Sequence, residues 1–237
     1  MKPGTPAFQV IQNLIDLHPE IGELKLFEPS PVAELHARVQ VREPEGQQII
    51  EQGLSIRERL GLPFWDSVLL ACYGRGGVAA TVLEQALFHN GPPLREFTVT
   101  RQEGAEDRLR SLLNNSAQRH GILVVSSDVK LLGRGRAHIP MVDFHCPATA
   151  ENRELAIRAC SLIDRAGGYL LESGHSYHFY GKSLLKPDEF PAFLGRMLLL
   201  SPIVDRAWIA HQLIEGACPL RISATGTIAE PFLSAEI

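Results

Sequence analysis

Two short segments of this chain concentrate side chains able to hold a cation or an anion. The first is Met141-Val142-Asp143-Phe144-His145, and the second runs Glu172-Ser173-Gly174-His175-Ser176-Tyr177-His178-Phe179-Tyr180-Gly181. In an extended strand alternate side chains share a face. Asp143 and His145 then point one way, and so do Ser176, His178 and Tyr180. If the two strands are neighbours in one sheet, a carboxylate, two imidazoles and a hydroxyl converge. Such a set suits a divalent cation with an anionic ligand, because magnesium and manganese take carboxylate oxygens and complete their shells with phosphate oxygens.

Each residue also has a plainer reading. Asp143 leaves an apolar strand (Ile139, Met141, Val142) where a carboxylate can reach a cation, or it caps a turn beside Pro147. His145 would add a nitrogen ligand, better suited to manganese or zinc than to magnesium, or it packs as a half-buried strand end. Ser173, His175, Ser176 and His178 are candidates for gripping phosphates, a protonated histidine adding a charge-assisted bond. The same stretch also reads as a tight turn leading into an aromatic edge strand. Asp205 precedes a helix carrying Trp208, Ile209 and Leu213, so it is a second metal ligand or that helix's N-cap. Arg221 is a cation in an apolar strand, costly unless it pairs with a substrate phosphate or one of the aspartates. Gly74-Arg75-Gly76-Gly77 lacks the Lys-Ser/Thr that a phosphate loop needs and reads as a helix–helix turn.

The elements that must position these residues follow from periodicity and breaks. Residues 1–22 predict a short amphipathic helix, and 24–27 and 37–41 alternate as strands do. Residues 47–52 predict a helix ended by Gly53, after which Ser55 and Glu58 have capping-box spacing. Helices are expected over 62–73 and 78–89, with Trp65, Leu69, Val82 and Leu87 in the core. Asn90-Gly91-Pro92-Pro93 is the clearest break, so residues 1–95 are expected to form a mostly helical N-terminal region and 96–237 an α+β catalytic-core region. Beyond it come a strand (97–100), a helix (106–120) and a strand (122–126). From residue 139 the predicted order is strand, helix (151–166), strand (169–173), strand (176–180), two helices (188–200, 205–215) and a strand (220–223). That order predicts an RRM- or ferredoxin-like antiparallel sheet with helices on one face and the other face open.

Composition bounds the function. With 237 residues, 45% hydrophobic and 21% charged, the chain can bury a substantial core. A net charge of −4 argues against coating nucleic acid by charge alone, although Arg134 and Arg136 offer a local basic pair. The four cysteines form no C-x-x-C, which fits a reducing compartment, and no apolar run spans a bilayer. A cytoplasmic protein with no membrane association is expected.

An Asp-bearing strand, then Ser-Gly-x-Ser-x-His-hydrophobic-aromatic, then Val204-Asp205, then Leu220-Arg221-Ile222, resembles the archaeo-eukaryotic primase superfamily over about residues 120–225. The resemblance implies a metal-dependent nucleotidyltransferase binding a nucleoside triphosphate and a DNA or RNA template, in replication or repair. It assigns Asp143, Asp205 and His178 to catalysis and Asp143, His145 and Asp205 to a magnesium or manganese ion. Ser173, His175, Ser176, His178 and Arg221 fall to the nucleotide, and Arg134 and Arg136 to the nucleic acid. Where the superfamily has a second acid in its first motif, this chain has His145, as in a divergent single-aspartate branch. Loss of that carboxylate weakens a second metal site more than nucleotide binding. The alternatives are a catalytically inactive nucleotide- or nucleic-acid-binding module of the same fold, and a metal-dependent phosphohydrolase built on Asp143, His145 and His178.

Overall fold

The computed structural model describes residues 1–29, 39, 41–75, 80–87, 93–101, 105–133 and 135–237. The chain is α+β and divides into two compact units, Met1–Pro29 with Pro93–Ile237, and Ser30–Pro92. Among the described residues no helix is long and apolar enough to cross a membrane.

The larger unit is built on two antiparallel sheets. The first contains β1 (Ile21–Glu28), β2 (Arg95–Thr100), β3 (Val124–Leu131) and β4 (Arg136–His138) in the order β2-β1-β3-β4, with β8 (Pro219–Arg221) also paired to β3. Residues 1–29, grouped by sequence with the helical region, thus supply the strand between β2 and β3, preceded by α1 (Ala7–Leu17). One face of this sheet buries Leu24, Leu26, Val99, Val125 and Val129. The other face carries ion pairs, Lys25 with Glu96 at 3.1 Å and Lys130 with Glu23 at 2.6 Å. Helix α5 (Ala105–Gln118) buries Leu109 and Leu112.

The second sheet has the order β5-β7-β6-β9, from Met141–Asp143, Tyr177–Gly181, Gly168–Glu172 and Phe232–Glu236. Helix α6 (Ala150–Ile163) crosses from β5 to β6, and β7 inserts between them, the split arrangement expected from sequence. The end of the pattern differs. The strand predicted at 220–223 is β8, which pairs Val124↔Arg221 and Val125↔Leu220 in the first sheet, and β9, not predicted at all, takes the edge beside β6. The expected open face is covered as well. Tyr169 and Tyr180 are opposite residues and share a face with His178, and the Tyr169 hydroxyl donates to Asn13 of α1 at 2.6 Å. The opposite face meets the start of α6, where the Tyr177 hydroxyl donates to the Thr149 carbonyl at 2.9 Å. Helices α7 (Phe190–Leu198) and α8 (Arg206–Glu215) complete the unit and bury Phe193, Leu194 and Ile209.

The smaller unit holds α2 (Pro44–Leu60), α3 (Phe64–Ala71) and α4 (Ala80–Leu87) around Ile49, Phe64, Trp65, Val68 and Val82. Gly53 does not end α2. A Cβ there would come within 2.8 Å of the Val68 Cα, so this glycine serves close helix packing. Ser55 and Glu58 therefore lie inside the helix and cap nothing, and the helix ends at Gly61 in the left-handed conformation (φ 65°). Leu87, expected in the core, is exposed. Most of the strand predicted at 37–41, the Gly76-Gly77 turn and most of the 90–93 break lie outside the described residues.

Candidate active site

Register brings the candidate residues together. β5 pairs with β7 so that Asp143 faces His178, and His178 Nε2 lies 3.5 Å from Asp143 Oδ1. On its other side, Phe144 forms an antiparallel bridge with Val204, and the His145 amide donates to the Ile203 carbonyl at 2.8 Å. One step along that bridge sets Asp143 opposite Asp205, and directly opposed residues share a face. His178, Asp143 and Asp205 are thus cross-strand neighbours, with Asp143 in the middle. Sequence separations of 35 and 62 residues are closed by backbone pairing.

Of the two readings the sequence allowed for Asp205, the cap is present: its Oδ1 accepts from the Ala207 and Trp208 amides at the start of α8, at 2.8 and 3.1 Å. Its Oδ2 takes no part in the cap. The Asp143 side chain keeps 35% of its surface, whereas His178 is buried. Burial first, and then the facing Asp205, push the Asp143 carboxyl up to about 7, against the pull of Arg221. Burial first, and then Arg221, bring His178 down to about 3. A desolvated imidazolium beside a guanidinium is disfavoured, which favours the neutral ring at His178 over the charge-assisted contact a protonated histidine would make.

Arg221 reaches this cluster from the other sheet. Its Nη2 donates to the Ser173 carbonyl at 2.5 Å, and its Nη1 to the carbonyls of Ala229, at 3.0 Å, and Ser223. Burial lowers its pKa, while Tyr180 and Asp143 raise it. Arg221 thus clamps backbone as well as neighbouring the aspartate. The hairpin turn is similarly occupied: the Ser173 amide donates to the Ser176 carbonyl at 2.9 Å, and the Ser176 hydroxyl donates to the Phe144 carbonyl. Ser176 fastens the start of β7 to the residue that follows β5. His175 is exposed at the tip. Gly174 adopts φ 103°, and a Cβ there would run into Ile228, so the turn packs tightly on the loop after β8.

The remaining candidates stand apart. Arg134 lies outside the described residues. Arg136 on β4 is bound by Asp128 through two hydrogen bonds, Nε to Oδ1 at 2.9 Å being one, and is no unpaired cation near Asp143. Among the described residues no group of three or more His, Cys, Asp or Glu side chains could hold a metal ion, so Asp143, His145 and Asp205 do not form the expected three-ligand set. The buried side chain that shares this face without having been assigned a part is Tyr180; its hydroxyl and His178 Nδ1 have no hydrogen-bond partner among the described residues.

Asp143, His178, Asp205 and Arg221 all fall within residues 101–230, which match the family described as archaeo-eukaryotic primase 1D-like, more than half of the chain. The chain belongs to this primase-like family. Neither the curated proteins nor the solved structures yield a match. The matched region begins ahead of the expected residue 120 and takes in α5 and β3 of the first sheet. As an archaeo-eukaryotic primase-like domain it has a nucleotidyltransferase-type fold, in a family generally dependent on divalent metals.

Proposed function

We propose that the Asp143 cluster is a nucleotide site of primase-polymerase type, taking a nucleoside triphosphate with one divalent cation and using a DNA or RNA template. The observation that carries this reading is the cross-strand series His178, Asp143, Asp205. Two facing carboxylates, with the Asp143 pKa raised first by burial and then by Asp205, form a donor set that the one nearby guanidinium, Arg221, only partly offsets. Two carboxylates fit magnesium or manganese, which accept one or two protein carboxylates and fill the remaining positions with water and phosphate oxygens. Asp143 and Asp205 would hold the cation, which when bound neutralises charge on the reacting phosphates. Neutral His178 offers a ring nitrogen to the nucleotide, and Arg221 adds positive potential while keeping the Ser173 turn in place. The proposed contribution of the protein is positioning and electrostatics, which nucleotidyl transfer chiefly needs.

A second reading rests on His145. With an imidazole in place of the second acid of the first motif, the chain binds nucleotide without extending a strand. One set of measurements separates the two: primer extension with manganese, and calorimetric titration with manganese and a nucleoside triphosphate, for the wild type and Asp143→Ala. The first reading expects incorporation that Asp143→Ala reduces at least about 100-fold. Binding without incorporation favours the second, and no binding by the wild type removes both.

A further inference from the structure

Tyr180 is fully buried, yet its hydroxyl makes no hydrogen bond among the described residues. A buried hydroxyl without a partner costs stability that phenylalanine would not lose. The oxygen at this position therefore calls for a partner. Its surroundings supply one. Tyr180 follows His178 by two on β7, so both project from one face, and the Met141↔Tyr180 and Asp143↔His178 pairs make Tyr180 the diagonal neighbour of Asp143. Diagonal neighbours in an antiparallel pair lie within reach of an aromatic side chain. The phenol also feels Arg221 and Asp143, which act in opposite directions on a pKa that burial raises.

We propose that Tyr180 is a positioning residue for Asp143: its hydroxyl donates to one oxygen of the Asp143 carboxylate when the nucleotide and its cation are in place, and so fixes the direction in which the carboxylate presents its other oxygen. The idea rests on the nucleotide-site reading above. A phenol suits the task because it donates one hydrogen bond without adding a charge that would compete with the cation.

The test is Tyr180→Phe, read in two ways. Thermal melting without ligand is expected to stay level or rise by about 2–4 °C, because an unpaired buried hydroxyl is removed. Calorimetry with manganese and a nucleoside triphosphate is expected to show roughly tenfold weaker binding, the loss of one hydrogen bond to a charged group. A purely structural tyrosine gives the reverse pattern, a lower melting temperature with affinity kept, and that result overturns the proposal. Unchanged affinity overturns it too, while wild-type binding leaves the nucleotide site standing. If the wild type binds neither manganese nor the triphosphate, the site reading fails and takes the role of Tyr180 with it.

Discussion

Two carboxylates in the larger unit are withdrawn from water under opposite terms. Glu28 on β1 is 2% exposed, with Oε1 accepting from Arg119 at 2.5 Å and Oε2 from Arg95 at 2.9 Å. Burial pushes its pKa up, but the two guanidinium bonds prevail and hold it below the usual value. Among the described residues no guanidinium is hydrogen-bonded to Asp143. It faces a neutral imidazole and another carboxylate, and the nearby Arg221 directs hydrogen bonds to main-chain carbonyls. One arrangement completes its charges within the fold and joins β1, β2 and the end of α5. The other leaves a deficit of positive charge at a partly open position, as expected of a group that awaits a ligand.

The contrast can be broken at either end. Glu28→Ala strands two arginines and should cost about 3 kcal/mol in urea unfolding, the lower part of the range for a broken buried pair because both arginines are partly exposed. A loss below about 1 kcal/mol would dissolve the distinction. Asp143→Asn should abolish manganese-dependent nucleotide binding yet stabilise the ligand-free protein at neutral pH. The folded pKa is raised from 3.8 to about 7, so the folded state holds its proton more tightly than the unfolded chain. The stabilisation of the wild type by that proton is present in full below pH 3.8 and is lost as pH rises through about 7. The unfolding free energy of Asp143→Asn relative to wild type should therefore climb between pH 4 and pH 7.5, reaching about 1 kcal/mol once solvent screening of a carboxyl with 35% exposure is allowed for. A gap that narrows over that range would place Asp143 with Glu28. The smallest effect is expected at Arg136→Ala, about 0.5 kcal/mol, since its pair with Asp128 lies on the solvent face of the first sheet. Nucleotide affinity should not change.

Much of the second sheet was legible because its signals were local. The strands expected over 169–173 and 176–180 match β6 and β7 to within one residue, and the helix expected over 151–166 matches α6. The failures share a cause in contacts that no local pattern reports. Gly53 looked like a helix stop because its packing partner, Val68, lies in the next helix. Leu220 and Ile222 marked a strand correctly, but its partner is β3, almost a hundred residues earlier, and nothing local distinguishes one sheet from the other. Phe232–Glu236 follows Pro231 and mixes Ser, Ala and Glu with two apolar residues, a weak signal that pairing with β6 makes into a strand. At the site, the types of Asp143, His178, Asp205 and Arg221 were readable, whereas the protonation of His178 and the backbone duties of Ser176 and Arg221 depend on burial and three-dimensional neighbours.

β8 is hydrogen-bonded into one sheet, while the guanidinium at its end holds the turn between β6 and β7 of the other. Neither half of the larger unit can assemble the cluster alone. A chain emerging from synthesis gains the environment of Asp143 only when residues beyond 221 have folded back, so ligand capture would come last and would select completed molecules.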